Sequence, residues 1–294
     1  MTILSVKGII KDYGAIRALK GVSFDVPQGT VFGILGPNGS GKTTLLGIVL
    51  DVLRASGGSF LLFGETPTGD HRKRIGALLE TPNFYHYLSA RQNMEIAAEI
   101  KGRGYDEIDT ILARVNLLER KDSLFSTFSL GMKQRLAIAS SLLGSPDVLV
   151  LDEPTNGLDP VGIAEIRELI KSISREGKTI IMASHLLDEV EKVCTHMALL
   201  KKGELVTTGK VSDILARGDI VQIRATGDAQ TVLAAFPGVQ KVQTEDGYLE
   251  LVFAENGVSL GKINEYCFSH GIVLEHLALK KKSLEARFLE LTQN

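Results

Sequence analysis

Apolar and polar positions alternate over the first thirty residues. Residues 4–10 and 22–26 carry this period of two, which predicts two antiparallel strands. The run 31–35, Val-Phe-Gly-Ile-Leu, is apolar throughout, as in a strand buried on both faces. A helical pattern follows from Lys42 to about residue 53. Ser56-Gly57-Gly58-Ser59 predicts a turn before the apolar stretch 60–63. Residues from about 90 to 119 are helical in period, broken near Gly102-Arg103-Gly104, and a further helix is predicted from Gly131 to about Leu143. Strand signals return at 148–151 and 179–183. Between them lies an amphipathic stretch, 161–174, with Ile163, Ile166, Leu169 and Ile170 on one face. Strands alternating with helices predict an α/β fold with a mainly parallel sheet covered on both sides.

The character changes past about Arg217. Residues 219–225 alternate like a strand and 229–236 follow a helical period. Residues 239–252 predict a hairpin turning at Asp246-Gly247. A helix over 258–269, a strand over 272–279 and a last helix over 283–291 complete the chain. The order β-α-β-β-α-β resembles a small α+β ferredoxin-like unit. The domain boundary is expected near residues 216–218, giving domains 1–217 and 218–294.

One segment carries a specific chemistry. Gly36, Pro37, Asn38, Gly39, Ser40, Gly41, Lys42 and Thr43 fit the pattern G-x-x-x-x-G-K-[ST], between the apolar run and the helical stretch. Strand, glycine loop and helix together make a phosphate-binding site. Glycines let successive N–H groups converge on one anion, and the helix adds the positive end of its dipole. Lys42 then reaches the β- and γ-phosphates, and the Thr43 hydroxyl holds Mg²⁺. Thr44 lies beside them. A second apolar strand ends in Asp152-Glu153. Asp152 emerges at the carboxyl edge of the sheet as the Mg²⁺ partner, and Glu153 is placed to polarise an attacking water.

Bulk properties narrow the setting. The chain has 294 residues, 44% of them hydrophobic, and a formal net charge of −2. It has a real core and lacks the global basic field of a nucleic-acid binder, so no nucleic-acid partner is expected. Lys280-Lys281-Lys282 reads as a solvated face. Cys194 and Cys267 are far apart in sequence and in no metal-ligand spacing, which suits a reducing compartment. No run approaches the roughly 18 to 20 apolar residues of a membrane helix. A cytoplasmic location is expected, with any membrane-spanning part supplied by another chain.

With these residues in place, the chain resembles the ATP-binding-cassette (ABC) ATPases over about residues 2–217. Ser129-Leu130-Gly131-Met132-Lys133-Gln134-Arg135 is similar to that family's signature motif, with Leu130 in place of a glycine. By itself Ser129 reads as an ordinary helix N-cap. The resemblance implies that Ser129 and Gly131 bind the γ-phosphate of an ATP held by the opposite protomer. It further implies that Tyr13 stacks on adenine and that His185 senses the γ-phosphate. Asp159, in Gly157-Leu158-Asp159-Pro160, belongs to a loop that crosses to the other protomer. The implied fold is a P-loop cassette: a mainly parallel sheet, an antiparallel β subdomain, a helical subdomain over about 86–145, and the small C-terminal domain.

Where the family usually carries a glutamine that links the site to its membrane partner, this chain has Glu80. Two readings stay open, a water-mediated partner of Mg²⁺ and a solvent-facing side chain. The aromatic stretch 83–88 reads either as the docking surface for membrane subunits or as a local core cluster. The pattern Glu80-Thr81-Pro82-x-Phe84-Tyr85 and the ending Ser-Leu-Glu-Ala-Arg-Phe-Leu-Glu-Leu-Thr are similar to bacterial drug and antimicrobial-peptide exporters. The implied partners are a second copy of the chain and integral membrane permease subunits. The chain itself would lie on the inner face of the membrane through them. The competing functions are a non-transport ABC ATPase acting on ribosomes or DNA, and a regulatory nucleotide-binding module without turnover. The C-terminal domain is expected either to add dimer contacts or only to stabilise the cassette.

Overall fold

The structure, a computed structural model, describes residues 1–80, 83–215, 219–227, 229–245, 247–253 and 257–280. The chain divides into two compact units, Met1–Gly209 and Lys210–Asn294. Residues 216–218, where the sequence puts the boundary, lie outside the described residues.

The first unit opens with β1 (Thr2–Tyr13) and β2 (Ile16–Pro27), an antiparallel pair closing at Tyr13 and Ile16. Buried β3 (Val31–Leu35) leads through the glycine loop into α1 (Lys42–Val49). The helix stops short of residue 53. Asp51 turns to φ 63°, and the N–H groups of Val52 and Leu53 both donate to the Gly47 carbonyl at 2.9 and 3.0 Å. This closes the helix and folds Leu53 onto Gly47, a tertiary preference that overrides the apolar period.

β4 (Gly57–Leu62) pairs antiparallel with β1, so Gly57, Gly58 and Ser59 are strand residues where the sequence predicts a turn. The reason is a close backbone approach. A Cβ on Gly58, at φ 80°, would stand 2.2 Å from the Gly8 carbonyl oxygen across the irregular part of the pairing.

Next come α2 (Gly69–Lys73), β5 (Ile75–Leu78), α3 (Ala90–Lys101), α4 (Ile108–Arg114) and α5 (Leu130–Leu142). Ser89 and Gln92 form a capping box at the start of α3, and Gly102 ends it in the left-handed conformation. Lys101 donates to the carbonyls of Ser140, Ser141 and Leu143 at the C-terminal end of α5, at 2.6, 3.4 and 3.3 Å. A cation there offsets the negative end of the helix dipole.

The unit closes with β6 (Val148–Asp152), α6 (Pro160–Arg175), β7 (Thr179–Ser184), α7 (Leu187–Val193), β8 (His196–Lys201) and β9 (Glu204–Lys210). The main sheet runs β5-β6-β7-β3-β8-β9 and is parallel from β5 to β8. A smaller antiparallel sheet runs β2-β1-β4. One core joins them, built from Leu4, Val6 and Phe24 of the small sheet, Leu45 and Leu46 of α1, and Phe32, Val150 and Ile181 of the large one. Phe24 and Phe32 stack with ring centroids 5.2 Å apart. β5, β8 and β9 have no counterpart in the sequence prediction.

The second unit begins with α8 (Val211–Leu215). It continues with β10 (Ile220–Ala225), α9 (Ala229–Ala234), β11 (Val239–Glu245), β12 (Tyr248–Phe253), α10 (Leu260–Ser269) and β13 (Leu274–Lys280). The order from β10 onward is the predicted β-α-β-β-α-β. Its sheet runs β11-β12-β10-β13 with every pair antiparallel. Leu233 of α9 and Ile263 and Cys267 of α10 share a buried cluster with Val221, Ile223 and Leu251. Asp246 and residues 283–291, a predicted turn residue and a predicted helix, lie outside the described residues.

Candidate active site

Parallel strands bring their carboxyl ends to one edge, and that edge collects most of the chemistry foreseen from the sequence. Leu35 of β3 pairs with Ser184 of β7, and Asp152 of β6 pairs with Ala183. The glycine loop, the Asp152-Glu153 pair and His185 therefore leave the sheet side by side. Leu78 of β5 pairs with Leu151, which puts Glu80 at the same edge.

The loop is built on two steric requirements. Gly36 has φ 155°, and a Cβ there would lie 2.3 Å from the Leu200 carbonyl oxygen and 2.5 Å from Ser40 Oγ. Gly41, at φ 102°, opens α1, and a Cβ would lie 2.7 Å from Leu19 Cδ2 and 2.9 Å from the Ala18 carbonyl oxygen. Between them Pro37, Asn38 and Gly39 are exposed, while Ser40 is buried with its hydroxyl unpartnered. Lys42 folds back over the loop. Its ammonium donates to the carbonyls of Gly36 at 2.8 Å and Pro37 at 3.3 Å, and lies 3.3 Å from Glu153 Oε1. Thr43 and Thr44 follow on the first turn of α1.

Asp152 is 2% exposed. The Thr43 hydroxyl lies near its carboxylate, while Oδ1 has no partner. Burial raises its carboxyl above the usual range. The neighbouring charges of Glu153 and Glu80 push the same way, and the Thr43 hydroxyl and the Lys42 charge oppose them.

Glu153 takes φ 48°, a left-handed conformation rare for a side chain this large, and its N–H donates to the Ala183 carbonyl at 3.0 Å. Its Oε2 stands 2.8 Å from His185 Nδ1. Lys42, Glu153 and His185 thus form one chain of contacts. The Ser184 hydroxyl accepts from the Leu186 N–H at 3.0 Å and shapes the turn that carries His185. Thr155, with a buried unpartnered hydroxyl, is a neighbour that no sequence pattern singles out.

The remaining predicted residues lie elsewhere. Tyr13 is exposed at the end of β1, with the Lys11 ammonium 4.9 Å from its ring centre. Ser129 caps α5 by accepting from the Met132 N–H at 3.3 Å. Asp159 caps α6, accepting from the Gly162 N–H at 2.8 Å, with Pro160 at the first helical position. Leu130 packs at Gly157 and Leu158 at Gly131. Ser129, Gly131 and Asp159 thus form a second group, at the starts of two helices whose opening segments touch. The aromatic stretch 83–88 divides between core and surface. Phe84 packs edge-on against buried Phe125 at 5.2 Å, while Tyr85 and Tyr87 are 51% and 72% exposed.

Comparison with known proteins shows the family and the fold. The ABC transporter family matches residues 19–156. An uncharacterized ABC transporter ATP-binding protein, YhcH of Bacillus subtilis, is 37% identical over 99% of this chain and 96% of its own length. The bacitracin transport ATP-binding protein BcrA of Bacillus licheniformis is 34% identical over 99% of this chain and 97% of its own. Among solved structures, cbiO1 of Clostridium perfringens, part of the ABC transporter complex cbiONQ, superimposes with a TM-score of 0.67 at 33% identity, covering 73% of this chain and 91% of that one. A dimeric ATP-binding cassette in a post-hydrolysis state with ADP and phosphate gives a TM-score of 0.62 at 26% identity, covering 71% and 99%. Among the described residues no helix is long and apolar enough to cross a membrane. With this fold, this phosphate loop and relatives matched along nearly their whole length, the chain belongs to the ATP-binding subunits of ABC transporters.

Proposed function

We propose that ATP binds at the carboxyl edge of the main sheet with Mg²⁺, and that two copies of the chain close over two nucleotides. The observation that carries this is the convergence of Lys42, Thr43, Asp152, Glu153 and His185, from three neighbouring strands and α1, on one edge.

The residues fit a hard cation. Asp152 offers a buried oxygen with no partner beside the Thr43 hydroxyl, and hard cations take oxygen ligands. Mg²⁺, when bound there, neutralises phosphate charge. The chain's own groups do the rest. Loop N–H groups and the start of α1 cradle the phosphates. Lys42 exchanges its loop carbonyls and Glu153 for phosphate oxygens. Glu153, released by Lys42 and still held by His185, takes the proton of the attacking water. Ser129, Gly131 and Asp159 serve the opposite copy, which accounts for their place in a second group. Tyr13 stacks on the base. Glu80 acts on the metal site through its charge.

Closure of the dimer drives separate permease subunits, and the exposed Tyr85 and Tyr87, anchored by Phe84, are the docking surface. We assign the cargo to the drug and antimicrobial-peptide class on the likeness to the bacitracin transport subunit, with export as the direction. The second unit adds dimer contacts. The ribosome or DNA reading is set aside because the relatives matched over nearly the full chain are named as transporter subunits.

The test is Glu153→Gln. Steady-state hydrolysis should fall by about 10²-fold or more, the range lost with a general base. ATP binding should persist, and an ATP-stabilised dimer should accumulate. Unchanged turnover removes Glu153 from the base role.

A further inference from the structure

The ion pair between α6 and α7, its carboxylate buried and its guanidinium 20% exposed, has no part in the chemistry described so far. Glu189, in the first turn of α7, is 4% exposed. Arg167 of α6 meets it as a fork, with Nη2 2.6 Å from Oε1 and Nε 3.4 Å from Oε2. A carboxylate this buried is costly without its cation, so the pair resists separation. The planar fork also fixes direction, which a point charge does not.

The pair closes a ring around the site. From Glu153 the chain runs through Asp159 into α6 and reaches Arg167. From His185 it runs through Leu186 into α7 and reaches Glu189. Two non-covalent links complete the circuit, His185 to Glu153 at 2.8 Å and Arg167 to Glu189 at 2.6 Å. Helix α7 has only seven residues and no side-chain cap, so its placement comes from packing. Val190 supplies one anchor, lying against Gly33 of β3 where a Cβ would come within 2.9 Å of Val190 Cγ1. Val193 is buried on the same helix, and Glu189 adds the one charged anchor among its buried residues. Only His185 and Leu186 separate the end of β7 from α7, so the position of α7 sets that of His185.

We propose that Arg167 and Glu189 are positioning residues for ATP hydrolysis, holding α7 against α6 so that His185 stays in register with Glu153. This rests on the roles assigned to His185 and Glu153 above.

The experiment uses the full-length chain and the variant R167L/E189L. Replacing both charges together leaves neither one buried without its partner, which avoids the main cost of breaking such a pair. Tm should therefore stay at or above wild type, while the directional link is lost. Expected is a fall in kcat of about tenfold or more, the scale of a small misplacement of a reacting group, with KM for ATP within about threefold. In an H185A background, R167L/E189L should reduce residual turnover no further, because the pair acts through that histidine. Wild-type kcat in folded R167L/E189L overturns the proposal, as do losses that multiply with H185A. If the double variant does not fold, E189Q decides by the same kcat and KM split, and wild-type kcat again overturns the inference. Undiminished turnover in H185A alone would instead overturn the reading of the site.

Discussion

Replacing Asp152 by Asn should make the ligand-free protein more stable while abolishing its use of Mg²⁺ and ATP. Asp152 is 2% exposed, with Thr43 near its carboxylate and no partner for Oδ1. Its carboxyl is raised by burial first, and then by Glu153 and Glu80. A buried polar group left unsatisfied costs about 1–3 kcal/mol, and a charged one more. Asn keeps an oxygen for Thr43 and loses the charge, but its NH₂ is itself unpartnered. The net gain is about 1–2 kcal/mol, roughly 2–8 °C in Tm for a unit of this size.

The pH dependence gives the sign. A carboxyl raised in the folded state binds its proton there first, so wild-type stability recovers as pH falls through the raised pKa toward the unfolded value. The advantage of D152N should therefore shrink below neutral pH. Thermal unfolding by circular dichroism at two pH values, with and without ATP and Mg²⁺, measures both effects. Nucleotide and metal together should stabilise wild type far more than D152N. A ligand-free D152N that melts below wild type at pH 7, or a gap that ignores pH, would refute the reasoning.

Lys42→Ala removes a charge-assisted phosphate contact worth about 1.5–3 kcal/mol, so ATP affinity should fall about 10- to 150-fold by calorimetry. Normal affinity would contradict the site. Gly36→Ala sets a methyl 2.3 Å from the Leu200 carbonyl oxygen at φ 155°, and urea unfolding should register a loss of about 2–4 kcal/mol. Gly39→Ala, with nothing within 4 Å, should lose only about 1 kcal/mol for its positive φ. Equal losses at the two positions would remove the steric argument. Glu80→Gln takes away a negative charge that acts on Asp152, so the site attracts the cation less and half-maximal hydrolysis should need more Mg²⁺. An unchanged Mg²⁺ titration would leave Glu80 outside the site's electrostatics.

The local devices of this protein were legible in the chain. The apolar run before Gly36, the glycines and Lys42 define strand, loop and helix within a short stretch, because a phosphate loop is made by neighbours in sequence. Ser129 marks a helix start by accepting from the N–H three residues on, and the structure shows Ser89 with Gln92 and Asp159 doing the same. Tertiary structure decided what distant segments do to each other. Gly58 is strand because Gly8 approaches it, and α1 ends early because Leu53 folds back. Glu153 meets both Lys42 and His185, and Arg167 meets Glu189, only because β3, β6 and β7 lie side by side. Sequence periodicity reports which face of an element is buried. It carries no information on which other element covers that face, and the pairings that tune the charges of this site are of that second kind.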